Sequence, residues 1–183
     1  ITEDADGMIW IGTENGLNRF DKNTGTFTRY QASFADNDIW SVYRDSEQML
    51  WVGTATGLHK FDPRSGIVLE QYVSDDSDPG SLHGRYLASI FVDSDGDLWV
   101  GTNKTGISRL TKGRKRFVHY RHDPDDDSSL SDDTVQAIME DPDGLLWVTT
   151  FNGGLNLFDK TTGKFTHYRH SPDDPDSVAS DYL

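Results

Sequence analysis

Two histidine pairs, His119-x-x-His122 and His167-x-x-His170, are the first candidates for metal chemistry in this chain. Imidazoles spaced this way on a strand point to opposite faces, so neither pair can chelate one ion by itself. Asp93-Ser94-Asp95-Gly96-Asp97 opens like a calcium-binding loop, but it lacks the glutamate such a loop needs further along. A tight hairpin explains the same residues. Carboxylates also crowd into Asp75-Asp76-Ser77-Asp78-Pro79-Gly80, Asp123-Pro124-Asp125-Asp126-Asp127 and Asp173-Asp174-Pro175-Asp176. These runs admit two readings, a cation site built from neighbouring loops or solvated, proline-punctuated connections. His59 and His83 stand alone, and no nucleophile elbow, phosphate loop or His-Glu-x-x-His motif occurs. With no cysteine, thiolate zinc sites, disulfides and a cysteine nucleophile are excluded. The expectation is a region with no catalytic residue, no metal and no cofactor.

Composition narrows the partners. A formal net charge of −14 argues against nucleic acid, whose phosphates require cationic contacts, and against docking on anionic lipid. No apolar stretch approaches the ~20 residues that would span a bilayer, and no signal peptide is recognisable. The expected partners are a polar small molecule or oligosaccharide, and a second copy of the chain through open strand edges.

The elements that must position any site come from a repeat. Trp10, Trp51, Trp99 and Trp147 sit in nearly the same phrase, as in Leu98-Trp99-Val100-Gly101-Thr102, and recur 41, 48 and 48 residues apart. Around each tryptophan lie four short runs rich in β-branched and aromatic residues, bounded by Gly, Asp, Asn or Pro, which predict four strands, A to D. Asp6-Gly7, Asp95-Gly96 and Asp143-Gly144 supply A–B hairpins; Asn15-Gly16, Thr56-Gly57, Thr105-Gly106 and Gly153-Gly154 turn between B and C. Strand B is apolar at consecutive positions, as expected of a strand covered on both sides. The four tryptophans are therefore assigned a structural role.

Four-stranded units of this length predict an all-β fold of β-propeller blades, with a β-solenoid as the alternative. The array runs over 1–183, with approximate blades at 1–34, 35–78, 79–127 and 128–177, and residues 178–183 starting a further strand A. In an up-and-down blade the D–A and B–C connections share one end. That end varies from copy to copy, whereas the A–B and C–D turns are short and repetitive. Recognition is expected where a repeated scaffold varies its loops. The ligand-binding candidates at that end are Asn37, Trp40, Arg85, Tyr86, Lys104, Thr134, Phe151, Asn152 and Tyr182. Trp40, Arg85 and Tyr86 would line a central funnel and stack on a polar ligand. Alternatively, the two aromatics plug the channel mouth and Arg85 neutralises an acidic rim.

The phrase Asp-x-Asp-Gly-x-(Leu/Ile)-Trp-(Ile/Val)-Gly-Thr, followed by Gly-Leu-Asn-Arg-Phe-Asp and Thr-Gly-x-Phe-Thr-x-Tyr, resembles the two-component regulator propeller repeat. Residues 4–30 and 93–120 carry it well, 141–168 differ mainly at Thr149, and 45–72 depart at Ser46-Glu47-Gln48 and Pro63. The resemblance implies the periplasmic sensory propeller of a bacterial membrane receptor. A transmembrane helix and a histidine kinase or diguanylate cyclase output would lie elsewhere in such a protein. This chain would then be a fragment of the sensory part. Its ends, Ile1 late in one strand A and Leu183 early in another, together nearly rebuild that strand. They would either close four blades or join two chains into a larger ring. Two other functions stay open: a scaffold that pairs receptors without binding ligand, and an enzyme like the streptogramin lyases, although none of their catalytic residues maps onto this chain.

Overall fold

A computed structural model describes every residue except 32, 33 and 35, so part of the first D–A connection lies outside the described residues. The described residues form sixteen strands in four antiparallel sheets, each with its strands in chain order. The first sheet holds β1 (Thr2–Glu3), β2 (Ile9–Thr13), β3 (Gly16–Asp21) and β4 (Thr26–Tyr30). The second holds β5 (Ile39–Arg44), β6 (Leu50–Thr54), β7 (Gly57–Asp62) and β8 (Ile67–Val73). The third holds β9 (Leu87–Val92), β10 (Leu98–Thr102), β11 (Ile107–Leu110) and β12 (Phe117–Tyr120). The fourth holds β13 (Val135–Glu140), β14 (Leu146–Thr150), β15 (Gly154–Asp159) and β16 (Lys164–Tyr168). No helix occurs among the described residues. These are β-propeller blades, and the all-β expectation holds. The chain divides into two compact units, Ile1–Ile90 and Phe91–Leu183.

Each unit has its own aromatic core. In the first, Trp10 meets Phe61 of the following blade edge-on at 5.7 Å, beside Leu17, Phe34, Leu50 and Val52. In the second, Trp99 meets Phe158 at 5.6 Å, beside Ile107, Leu130, Val148 and Phe165. The strand-B tryptophan thus lies between its own blade and the next one. β6 and β10 are buried along their whole length, as their unbroken apolar runs require. The tryptophans are not equivalent in all four copies, however. Trp10, Trp51 and Trp99 are buried, but Trp147 is only half-buried. Its ring neighbour is Tyr168 of its own blade, and no following sheet supplies the counterpart of Phe158 among the described residues.

The glycine two residues after the tryptophan has a steric purpose. A Cβ on Gly12 or Gly53 would collide with Ile39 or with Leu87, at the start of the next strand A. Thr149 occupies that place in the fourth copy. In the second copy's A–B hairpin, Gln48 takes the left-handed backbone (φ 67°) that Gly7, Gly96 and Gly144 adopt elsewhere. The conformation is retained where the glycine is not.

Candidate functional site

The repeated phrase is a set of clamps. The aspartate immediately after strand A, always six positions before the tryptophan, accepts the indole N–H through Oδ2. The distances are 2.7 Å for Asp4, 3.0 Å for Asp45, 2.8 Å for Asp93 and 3.0 Å for Asp141. Oδ1 of the same carboxylate takes two backbone N–H groups of the A–B turn. The threonine that ends the phrase closes the B–C turn: Thr13, Thr54, Thr102 and Thr150 donate to the carbonyls of Gly16, Gly57, Gly106 and Gly154 at 2.8–3.2 Å. Carboxylate and hydroxyl are therefore committed to building the blade. The fixed Asp–Trp spacing of six was visible in the sequence as a signal of this bond.

The acidic connections are built in a comparable way. Asp75, Asp123 and Ser171 each exchange two bonds with a serine six residues on, Ser81, Ser129 and Ser177, which closes the loop. Within the loops, Asp75 binds Ser77 and Asp126 binds Ser128, and these hydroxyl and amide bonds hold both carboxyls below the usual aspartate range. The second histidine of each pair lies beyond its strand and clips the loop. His122 Nδ1 lies 2.8 Å from the Leu130 carbonyl, and His170 Nδ1 lies 2.9 Å from that of Val178. That corrects the expectation that both histidines of each pair lie on a strand. No group of three His, Asp or Glu side chains able to hold a metal occurs among the described residues. His59 is buried against Phe34, and burial pushes its imidazole below its ordinary value. It is a neutral core histidine.

On the repetitive end, one cation serves three acids. Lys160 Nζ lies 2.7 Å from Glu140, 2.8 Å from Asp95 and 3.2 Å from Asp93. Ser94 adds two bonds to Glu140. Burial alone would raise the Glu140 carboxyl, but bonds from Lys160 and Ser94 outweigh it and hold it low; Lys160 lowers Asp95 directly. Burial opposes the Lys160 charge, and its three carboxylates outweigh that and raise it. Depressed carboxyls stabilise the fold above their unfolded pKa, and the contribution disappears as pH falls through the folded value. The raised lysine contributes at every pH below its unfolded value, so only the acids titrate in the working range. Lys160→Ala should therefore lower Tm clearly at pH 7 and progressively less as the pH falls below the ordinary carboxylate range and through the depressed folded values of Asp95 and Glu140. Melting curves across that range check it, and a pH-independent loss would contradict it.

The variable end carries exposed aromatics. Trp40 sits at a β-bulge, where the β5–β6 register shifts between Ile39 and Ser41, and the residue is 49% exposed. Bulges re-aim side chains in this manner. Its indole N–H donates to Asp38 at 3.0 Å, and Tyr86 packs edge-on against it at 5.0 Å. Tyr86 is 41% exposed and held in left-handed backbone (φ 55°), a conformation that costs a bulky residue on the order of 1–3 kcal/mol. Arg85 beside it is exposed. In the other unit Phe151 and Tyr182 pack at 4.2 Å, with Tyr182 60% exposed. Lys104 is exposed with φ 77°, and Asn152 is exposed. Two candidates do backbone work: the Asn37 carbonyl accepts from Gly16 N–H and the Thr134 carbonyl from Phe151 N–H, both at 2.9 Å. The structure thus brings together Trp40 with Tyr86, and Phe151 with Tyr182.

Stacked blades with a clamped Trp-x-Gly-Thr phrase define the class as a β-propeller. The model of the two-component regulator propeller matches residues 33–56, 80–104 and 129–152. Each matched segment runs from the approach to strand A through the B–C turn. Among solved structures, the extracellular domain of a hybrid two-component system of B. thetaiotaomicron is 27% identical with a TM-score of 0.72, over 87% of this chain and 21% of that one. Virginiamycin B lyase from Staphylococcus aureus is 19% identical with a TM-score of 0.69, over 94% of this chain and 55% of the lyase. PorZ, a surface component of the type-IX secretion system of Porphyromonas gingivalis, is 18% identical with a TM-score of 0.53, over 99% of this chain and 34% of its own. The last two share the fold alone. The chain therefore spans about a fifth to about half of the first structures it matches. No curated protein matches it.

Proposed function

We propose that this chain is a ligand-sensing propeller region of a periplasmic receptor in a two-component system, and that it binds a polar ligand, an oligosaccharide in the first instance, without catalysis. The exposed Trp40–Tyr86 pair carries the reading: a bulge and a strained backbone hold two aromatic side chains open to solvent, and the residue before Tyr86 is the exposed Arg85. Aromatic faces stack on sugar rings while adjacent polar groups fix their hydroxyls, the combination typical of small-molecule sites. Similarity to an extracellular receptor domain supports an extracytoplasmic location. Output would pass as a change in association or orientation to a membrane segment.

The test is a thermal-shift screen of neutral and acidic oligosaccharides. A binder at 100 times its Kd should stabilise the fold by about 2.7 kcal/mol. Trp40→Ala and Arg85→Ala should each abolish that shift while leaving the ligand-free Tm within a few degrees. A shift that survives both substitutions, or turnover of the bound compound, would overturn the reading.

A further inference from the structure

Residues 36–38, 84–86, 132–134 and 180–182 occupy equivalent places in the repeat, on the approach to a strand A. Three of these segments share one set of bonds. The first side chain caps the segment: Asp36 accepts the Asp38 N–H at 3.0 Å, Asp132 that of Thr134 at 2.7 Å and Ser180 that of Tyr182 at 3.0 Å. The middle carbonyl, of Asn37, Asp133 or Asp181, accepts the N–H of a B–C turn glycine, Gly16, Gly106 or Gly154, at 2.8–3.0 Å. Where the middle residue is aspartate, its carboxylate also holds the D–A loop. Asp133 accepts the His122 N–H at 2.7 Å, and Asp181 that of His170 at 2.6 Å.

Residues 84–86 keep none of these bonds. Gly84 has no side chain to cap with, and Arg85 stands where the carboxylate would be, with a guanidinium that can only donate. Gly57 N–H, the counterpart of the turn glycines, goes to Thr54 Oγ1 at 3.1 Å. Gly84 and Tyr86 take left-handed backbone, φ 87° and 55°, and Tyr86 N–H donates to the Ala55 carbonyl at 3.3 Å. Glycine adopts that conformation freely, whereas tyrosine does so at a cost. The outcome is the Tyr86 ring against Trp40 at 5.0 Å. Ser41 Oγ donates to the Leu87 carbonyl at 2.6 Å, so the two strands are tied directly beside the two aromatics. Arg85 is exposed, and its guanidinium has no hydrogen bond or ion pair among the described residues. An arginine that only offset neighbouring acids would not require the loss of the cap, the turn bond and the loop tie together.

We infer that Arg85 is a ligand-contacting, specificity-determining residue and that the ligand is an anionic saccharide, one carrying a carboxylate or a sulfate. This rests on the Trp40–Tyr86 pair being a saccharide platform, and it adds the charge of the saccharide. The sugar ring packs on the aromatics, and the guanidinium takes the anionic group through parallel N–H bonds, a geometry that a lysine ammonium does not reproduce. The acids leading into Trp40 are engaged internally, Asp36 by the Asp38 amide and Asp38 by the Trp40 indole, while Arg85 is not. In a chain of net charge −14 the overall field repels anions, so the preference comes from this contact rather than from attraction at a distance.

Isothermal titration of the 183-residue chain with paired probes tests this. Uronic acid oligosaccharides are compared with their methyl esters, and sulfated hexose oligosaccharides with their desulfated forms. In one of the two pairings the anionic member should bind at least tenfold more tightly than its neutral partner, and the pairing that does so identifies the group. Arg85→Gln should bring the anionic member down to the affinity of the neutral one and leave the ligand-free Tm unchanged. Arg85→Lys should keep part of the preference, because the charge remains without the planar fork. Trp40→Ala should weaken both members alike. Equal affinities in both pairings, or a preference that survives Arg85→Gln, would overturn the inference while leaving saccharide binding intact. A lowered Tm in Arg85→Gln with unchanged affinities would overturn it in favour of a purely neutralising arginine. No binding of any member, anionic or neutral, would overturn the saccharide reading and the inference with it.

Discussion

Trp99→Ala is expected to destabilise the fold by about 3–5 kcal/mol, the range for truncating a large buried aromatic. The indole is fully buried, stacks on Tyr120, meets Phe158 edge-on, lies under the Arg109 guanidinium at 5.0 Å and donates to Asp93. Against a typical total of ~5–15 kcal/mol, that is a large share of domain stability. The same change at Trp147 should cost distinctly less, because its ring is only half-buried. Urea denaturation of both variants measures the difference. A Trp99→Ala loss no larger than that of an exposed substitution would contradict the buried assignment.

Asp93→Ala should be comparably damaging although no apolar contact is removed. One carboxylate, with its side chain out of solvent, accepts the Trp99 indole, the amides of Asp95 and Asp97, and the Lys160 ammonium. Removing it leaves buried donors unsatisfied and a half-buried cation short of a partner, for which about 3–5 kcal/mol is the usual cost. Asp93→Asn keeps an acceptor oxygen and should retain roughly half of that stability. Asp93→Ala and Trp99→Ala should also be strongly non-additive, since each deletes the same bond. Additive losses in the double variant would show that the clamp contributes little. Chemical denaturation of the two single variants and the double variant supplies the comparison.

The blades were legible because their signals are local and repeated. Apolar runs at a fixed distance from each tryptophan, bounded by Asp-Gly and Thr-Gly turns, left four strands per copy as the consistent reading. Blade stacking was legible from strand B, whose consecutive apolar residues have no wet side. The roles of single polar residues were harder to see. Asp93 looked like part of a calcium loop because its carboxylate was weighed with Asp95 and Asp97 beside it, whereas the indole six residues on is what occupies it. His122 and His170 looked like strand residues because the end of strand D is set by the loop that folds back over it. The exposure of Trp147 was hidden for a different reason. Identical phrases predict identical burial, but burial depends on which blade follows. At the variable end the sequence singled out Trp40, Arg85 and Tyr86 by their departure from the repeat. The bulge and the left-handed backbone that hold the pair open could not be read from side-chain types.

The sharpest test of a scaffold that builds with one set of aromatics and recognises with another is the indole region of a nitrogen-15 correlation spectrum. The chain has five tryptophans, four clamped to aspartates six residues earlier and Trp40 alone at the variable end. Titration with an oligosaccharide that raises Tm should move the Trp40 Nε1 resonance and leave those of Trp10, Trp51, Trp99 and Trp147 in place. A titration that moves the clamped indoles while Trp40 stays fixed would contradict the account.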